Sequence, residues 1–150
     1  MKINKEFWLL FCNGNNFISN NFLKRGFGHI KILSKENNKW MLIDPSFNFL
    51  NIRLLDCNSS IDLPKIYLKK NLCYSAVRIE KIIDLNVNSN KEIVHSLIPR
   101  FVSCVSFVKY AYDIKVRAFT PYQLFMRLYK MSKQKDYTLK NGFKSVNWII

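Results

Sequence analysis

Cys104 stands near the beginning of RFVSCVSFVKYAYDI (residues 100–114), a stretch whose apolar residues recur at helical spacing from the cysteine onward. The unpaired N–H groups and the dipole of a helix N-terminus stabilise a thiolate, and the same N–H groups can hold an oxyanion. Free cysteine is also among the most buried residue types in proteins. Two roles therefore stay open for Cys104: a nucleophile, or a small apolar side chain in the core.

A nucleophilic thiol needs a base within reach, and the chain has two histidines, His29 and His95. His29 lies in FGHIKILS (residues 27–34), whose alternation predicts a strand. His95 lies in KEIVHSLIP, nine residues before Cys104, and its surroundings indicate a linker or a helix surface. His29 is the favoured base, because a strand holds an imidazole on a rigid element, and His95 is the less favoured one. The alternative is a strand histidine with no catalytic role.

The segment around His29 predicts a hairpin. ENNK (residues 36–39) has turn composition, and WMLID (residues 40–44) predicts a returning strand that ends in Asp44. A carboxylate on that strand can orient the imidazole, as the third member of a Cys–His–Asp set. The alternative is an ordinary turn residue, since Asp44 precedes Pro45.

The remaining periodicity predicts an α+β fold in one domain spanning residues 1–150. Strands are expected first and a pair of helices last, so that an antiparallel sheet carrying the His29 hairpin packs against the helix that begins at Cys104. Thr120, Pro121 and Gln123 have the spacing of an N-cap, an N1 proline and a capping box for the last helix. The other predicted elements are strands at 6–12, 49–55 and 73–83, a short helix at 16–25, a loop at 56–65 and a polar linker at 86–92.

The other three cysteines, Cys12, Cys57 and Cys73, are far apart in sequence, and the chain has no C-x-x-C pair. This spacing argues against a zinc ribbon and a disulfide framework and indicates a reducing compartment. We expect these thiols to pack inside the fold, and we expect no metal and no cofactor.

FLKRGF (residues 22–27) mixes aromatic and basic residues that can contact nucleic acid, with a solvated loop as the simpler interpretation. The core or its rim is predicted to hold Trp8, Trp40 and Trp148.

The chain carries a net charge of +14, from 24 Lys and Arg residues against 10 Asp and Glu residues. Such a field favours anionic partners such as DNA or a cell envelope, and the stretch from about residue 130 to 150 is the most basic. The alternative is a solvated basic face.

FWLLFC is shorter than the apolar core of a signal peptide, and no run reaches the ~18 residues of a membrane span. We therefore expect a soluble protein with no signal peptide and no transmembrane segment.

Two segments, SCVSFVKYAYDI and FGHIKILSKENNKWMLIDPS, resemble two motifs of the NlpC/P60 cysteine-peptidase superfamily. The first is similar to its nucleophile helix, in which a small or acidic residue precedes the cysteine. The second is similar to its histidine hairpin. Because His29 precedes Cys104, the order matches the circularly permuted, papain-like branch, which includes lecithin-retinol-acyltransferase-like proteins. The whole pattern, over roughly residues 27–46 and 100–128, also resembles small tailed-phage proteins in which a TPYQL-type helix start follows a similar cysteine helix.

This resemblance implies a phage-encoded, thiol-dependent hydrolase or acyl transferase that acts on an amide or ester, with cell-wall peptide as the substrate class. Cys104 would be the nucleophile, His29 the base and Asp44 the orienting group, in a protein found in the host cytoplasm or the virion. The chain departs from the family at Val105-Ser106, where Ser-Gly usually follows the cysteine, and in a slightly long His-to-Asp spacing. The alternative is a non-catalytic basic phage or virion protein that uses the same fold to bind DNA or protein, including phage structural proteins.

Overall fold

In the computed structural model, six strands and three helices are defined within the described residues, which are 2–14, 23–36, 38–46, 49–84, 103–134 and 143–149. The strands are β1 Lys2–Cys12, β2 His29–Glu36, β3 Lys39–Pro45, β4 Leu50–Asn58, β5 Ser75–Asp84 and β6 Phe143–Ile149. The helices are α1 Leu63–Lys69, α2 Cys104–Ala111 and α3 Pro121–Lys133. The six strands form one antiparallel sheet in the order β4-β3-β2-β1-β5-β6, so the chain has the predicted α+β class.

β1 lies inside the sheet, and its second half, residues 7–12, is apolar on both faces. It pairs with β2 on one side and with β5 on the other, and a strand in this position is covered above and below. The pairing places Cys12, the last residue of β1, directly opposite His29, the first residue of β2. One face of the sheet receives Phe7, Leu9 and Phe11, and the other receives Trp8, Leu10 and Cys12.

Two hydrophobic clusters cover the two faces of the sheet. On one face, which we call the α2–α3 face, both of these helices pack on strand residues that include Ile30, Ile32 and Ile43. On the other, the α1 face, α1 packs on strand residues that include Leu33 and Leu42. Each fully buried side chain of this size stabilises the fold by about 1.5–3 kcal/mol. Successive residues of β2 and β3 therefore belong to opposite faces, as the alternation of side chains along a strand requires.

Both α2 and α3 begin at a side-chain cap. Oγ of Ser103 accepts the backbone N–H of Ser106 at 3.1 Å, which satisfies one of the unpaired donors at the start of α2. Oγ1 of Thr120 accepts the N–H of Gln123 at 3.2 Å, and Oε1 of Gln123 accepts the N–H of Thr120 at 3.3 Å. The predicted capping box at the start of α3 is therefore confirmed.

A buried lysine of β5 holds the C-terminal end of α2. Nζ of Lys81 donates to the backbone oxygens of Tyr112 and Asp113 at 3.0 and 2.7 Å, and lies 3.3 Å from a carboxylate oxygen of Asp113. A cation at this end of a helix also interacts favourably with the helix dipole. The contact fixes α2 on the sheet, and with it Cys104 at the opposite end of the helix.

The prediction of strands first and helices last is wrong, because β6 follows α3 and pairs with β5 at an edge of the sheet. Phe143 and Val146 of β6 are buried against the α2–α3 face, while Lys144 between them is exposed. Positively charged residues dominate the composition of this stretch, so its apolar positions did not indicate a strand. The basic stretch at about 130–150 thus contains the end of α3 and all of β6.

The prediction of a loop at 56–65 is also wrong, because β4 continues to Asn58 and α1 begins at Leu63. Asp62 caps α1 by accepting the N–H of Lys65 at 3.4 Å, and Pro64 occupies its first turn. The predicted helix at 16–25 falls largely on residues 15–22, outside the described residues. The predicted linker at 86–92 and His95 also lie outside them, within 85–102.

Candidate functional site

Two glycines bring the beginning of β2 against the end of β1. The N–H of Gly28 donates to the carbonyl of Cys12 at 2.9 Å. A Cβ on Gly28 would overlap the backbone N and Cα of Gly14, so no side chain fits at this position. His29 follows directly, and its position opposite Cys12 therefore depends on a close approach that only glycine allows.

His29 and Asp44 are in direct contact, with 2.6 Å between Nε2 of the imidazole and Oδ1 of the carboxylate. Nζ of Lys31 lies 3.2 Å from Oδ2 of the same carboxylate. Burial acts to raise the pKa of Asp44, but hydrogen bonds from His29 and Lys31 outweigh it, and the pKa is lowered from its ordinary value of 3.8. Asp44 is therefore ionised at neutral pH.

The contact with Asp44 decides which nitrogen of His29 can act as a base. An ionised carboxylate only accepts hydrogen bonds, so Nε2 carries the hydrogen in this contact. Nδ1 of the neutral ring is left with the lone pair that a base needs. The same contact holds the plane of the imidazole, which is what an orienting carboxylate does in a catalytic set.

Cys104 is the first residue of α2 and lies partly buried. Burial raises the pKa of its thiol above the ordinary 9.0, and the negative charge of Asp44 acts in the same direction. Hydrogen bonding from the backbone N–H groups of Ile30, Val105 and Cys104 acts in the opposite direction and is outweighed. At neutral pH the resting group is therefore a protonated thiol, next to the amide of the residue that follows His29.

The candidate residues converge on one end of β2 and β3. The described pairing of these two strands ends with Ile32 opposite Ile43, so His29 and Asp44 lie beyond the last pair. The imidazole reaches across this unpaired end to the carboxylate, and α2 contacts both strands with its first residue near the same end.

The imidazole and the thiol approach this end from different faces of the sheet. His29 lies opposite Cys12, whose side chain belongs to the α1 face, whereas Cys104 packs on the α2–α3 face. The structure therefore brings His29 and Asp44 together and places Cys104 against the Ile30 backbone. Within the part of the chain that the structure describes, no hydrogen bond joins Sγ of Cys104 to His29.

Two of the other cysteines, Cys12 and Cys73, are more deeply buried than Cys104. Burial is the main cause that raises the pKa of Cys12 to about 12, and burial raises the pKa of Cys73 to about 11. Cys57 lies on β4, partly buried against the α1 face. All four thiols are free. Cys12 and Cys73 are the less suitable nucleophiles, because both are buried, whereas Cys104 is only partly buried.

Lys31 is the residue of this site that the sequence did not indicate. It is two residues from His29 on β2, and side chains two apart on a strand share a face. That spacing is the signal that could have found it. Among the described residues, no three His, Cys, Asp or Glu side chains are grouped so as to hold a metal ion.

A cleft of about 660 Å³ opens beside Trp8 and Trp40, toward the other end of β1 and β2, and none of the three candidate residues lines it. Most of its charged side chains already contact an opposite charge or an aromatic ring, so few charged groups are left to bind a ligand. The contacts are Arg78 with Glu6, Lys65 with Asp62 at 3.0 Å, and Lys35 over the rings of Trp8 and Trp40.

Comparison with models of known protein families, with curated proteins and with solved structures gives no match to this chain. The geometry of the site and the resemblance in its motifs therefore carry the functional argument. None of the helices among the described residues has the length and apolar character needed to cross a membrane.

Proposed function

We propose that the chain is a thiol-dependent hydrolase or acyl transferase in which Cys104 is the nucleophile, His29 the base and Asp44 the orienting residue. The observation that carries this proposal is the 2.6 Å contact between His29 and Asp44, next to the Ile30 amide that faces the thiol. The resemblance to circularly permuted NlpC/P60 enzymes supports the same three residues. It also supports a permuted papain-like arrangement within the α+β fold.

The proposed reaction passes through a thioester on Cys104. Nδ1 of His29 takes the thiol proton as Sγ attacks the carbonyl carbon, and N–H groups at the start of α2 hold the oxygen that becomes negative. The C–N or C–O bond then breaks, and the leaving group takes the proton from His29. Water, or an acceptor alcohol or amine in a transferase, attacks the thioester and gives a proton to His29. The S–C bond breaks, and the sulfur regains that proton.

The raised pKa of the Cys104 thiol is compatible with this sequence of steps, because the proton leaves during the attack and not beforehand. The mechanism requires the imidazole and the thiol to meet at the end of β2, beyond the last pair of Ile32 and Ile43. Catalytic hydrogen bonds are often long in the absence of substrate and shorten only when the substrate is bound.

For the substrate we propose the peptide of a bacterial cell wall, which is the class that the family resemblance implies. The net charge of +14 supports this choice, because a basic surface is attracted to an anionic envelope. A phage-encoded protein acting in the host cytoplasm or from the virion is the setting that the same resemblance implies.

Acylation by an activated ester tests the proposal without knowledge of the natural substrate. The protein is incubated with p-nitrophenyl acetate, nitrophenol release is followed, and the acetylated peptide is located by mass spectrometry. The proposal predicts a burst of nitrophenol and an acetyl group on Cys104. It also predicts turnover that His29→Ala lowers by about a hundredfold or more, the usual contribution of a general base.

Cys73→Ala is the matched control, because it removes a buried thiol outside the proposed set. It should leave both the burst and the turnover within about twofold of the wild type. Acetylation spread over several cysteines and lysines, at rates that His29→Ala does not change, would contradict the proposal. If acetylation of Cys104 is found, digestion of purified peptidoglycan then tests the substrate class.

A non-catalytic basic module is the second candidate, and the separation of thiol and imidazole on two faces of the sheet favours it. In this function the net charge of +14 binds DNA or phage structural proteins. It predicts DNA retention that falls steeply between about 50 and 200 mM salt and is unchanged in Cys104→Ala. Retention with no salt dependence would count against it.

A further inference from the structure

β4 is an edge strand whose outer side carries no neighbour among the described residues. The sheet order begins with β4, and the strand pairs with β3 alone. Nine residues of edge strand, Leu50–Asn58, therefore present backbone N–H and C=O groups outward. An edge of this kind is a template for pairing with another strand.

The same strand exposes a row of apolar side chains on the α2–α3 face of the sheet. Leu50, Ile52 and Leu54 alternate along β4 and are 46%, 55% and 61% exposed. Their face follows from the pairing of Ile52 with Ile43, which is buried beneath the helices. Three adjacent large apolar residues on an edge strand form a contiguous patch, which marks an interaction surface more often than isolated exposed residues do.

The charge of β4 distinguishes it from the rest of this basic chain. LNIRLLDCN contains one cation, Arg53, and one anion, Asp56, whereas the whole chain carries +14. Lysine and proline are two of the residues by which proteins protect an edge strand from pairing, and β4 has neither. The pairing of β4 with β3 is irregular after Leu55 but regular over Leu50–Leu55, which is the part that carries the apolar row. Two copies of this chain would repel one another over most of their surfaces, but not where two β4 strands meet.

We propose that β4 pairs antiparallel with β4 of a second copy of this chain, about a two-fold axis that passes through Ile52. This register places Ile52 opposite its own counterpart and Leu50 opposite Leu54, so the apolar rows of the two copies become continuous. Arg53 then lies opposite Asn51, which avoids an opposition of like charges.

The neighbouring registers are less favourable. Centring the axis on Arg53 places two guanidinium groups directly opposite one another, which destabilises a strand pair. Centring it on Leu54 places the carboxylate of Asp56 opposite Ile52, which breaks the apolar row. The charge pattern of β4 therefore selects the register centred on Ile52.

The association is tested by sedimentation velocity over a concentration series, with Ile52→Lys as the disrupting variant. At the two-fold axis this substitution places two ammonium groups opposite one another, and we expect the dimer dissociation constant to rise at least about tenfold. Leu72→Lys is the matched control, because Leu72 is similarly exposed at 54% but lies between α1 and β5. It should change the constant by less than about twofold.

The register is tested by disulfide formation in a Cys57→Ser background, which removes the native thiol of β4. Ile52→Cys should form a disulfide-linked dimer on mild oxidation, because opposite residues of paired strands lie within bonding range. Leu54→Cys alone should not, since its own counterpart lies about four residues, or roughly 13 Å, along the partner strand. A mixture of Leu50→Cys and Leu54→Cys proteins should give the crossed dimer.

Three results would overturn the proposal. The first is a monomer at every concentration, which includes the case in which another part of the same chain covers the apolar row. The second is a dimer that Ile52→Lys weakens no more than Leu72→Lys does, because the interface then lies elsewhere. The third is efficient self-linking of Leu54→Cys, which shows a different register.

Discussion

Nε2 of His29 lies 2.6 Å from Oδ1 of Asp44, and this contact joins the first residue of β2 to the last but one residue of β3. It spans the end of the hairpin where the described pairing of the two strands has stopped. The contact therefore holds the ends of β2 and β3 together where no backbone pairing does. It also fixes the imidazole of His29, which is the base in the proposed reaction.

Asp44→Asn should lower stability in a pH-dependent way. The folded-state pKa of Asp44 is lowered, so its contribution is fully present above the ordinary carboxyl value of 3.8 and is lost as pH falls through the lowered pKa. We expect the variant to be about 1–2 kcal/mol less stable near neutral pH, and this difference to shrink in acid. Urea denaturation at a series of pH values measures it. Asp56→Asn, which removes an exposed carboxylate on β4, is the control and should cost little.

Gly28→Ala should destabilise the protein, because the added Cβ overlaps the backbone of Gly14. Separating the ends of β1 and β2 to relieve this overlap should cost about 1–3 kcal/mol in the free energy of unfolding. Ser34→Ala is the comparison, on the strand β2 that Gly28 precedes. The hydroxyl of Ser34 is buried with no hydrogen-bond partner among the described residues, so its removal should be neutral or stabilising. Equal stability of the two variants would show that the Gly28–Gly14 approach is not needed.

Ser103→Ala and Thr120→Ala remove the N-caps of α2 and α3 and should each cost about 1 kcal/mol of stability. They should differ in their effect on Cys104. Loss of the Ser103 cap loosens the turn whose N–H groups face the thiol, so acylation of Cys104 by p-nitrophenyl acetate should slow at least about threefold. Thr120→Ala should leave that rate within about twofold. The same slowing in both variants would mean that general destabilisation is its cause.

Lys81→Met should destabilise the attachment of α2 to the sheet. The substitution keeps the apolar volume and removes the ammonium that binds the Tyr112 and Asp113 backbone oxygens, at a cost of about 1–3 kcal/mol. Lys115→Met is the control, because its exposed ammonium lies 3.9 Å from the same Asp113 carboxylate. Thermal unfolding compares the two, and a loss for Lys81→Met no larger than for Lys115→Met would contradict this role.

Local patterns in the sequence predicted the parts of the fold that depend on neighbouring residues. The alternation in FGHIKILS predicted the strand β2, in which Ile30 and Ile32 lie on one face and Leu33 on the other. The spacing of Thr120 and Gln123 predicted the cap of α3, because a capping box closes within a single turn.

The elements that local sequence patterns did not indicate depend on contacts between distant segments. Phe143 and Val146 form a strand because β5 offers them a neighbour more than sixty positions earlier in the chain, and that contact leaves no local signal. The helix α1 is only seven residues long, and its signal was confined to Asp62 and Pro64. Short elements of this kind depend on tertiary packing for their stability.

The candidate site also combines a part that local sequence patterns predict with a part that depends on contacts between distant segments. A hairpin brings the start of one strand beside the end of the next, so the proximity of His29 and Asp44 follows from local pattern. The face of the sheet that α2 covers depends on the packing of the whole domain. The placement of Cys104 and His29 on different faces could therefore not be predicted.

The rate at which iodoacetamide alkylates Cys104 at neutral pH, measured by peptide mapping in the wild type and in His29→Ala, tests the proposed cooperation of thiol and imidazole most directly. If Nδ1 of His29 accepts the thiol proton, Cys104 reacts faster than Cys12 and Cys73, and His29→Ala slows its reaction at least about tenfold. Equal rates for Cys104 in the two proteins would contradict the account, because the thiol would then react without help from the imidazole.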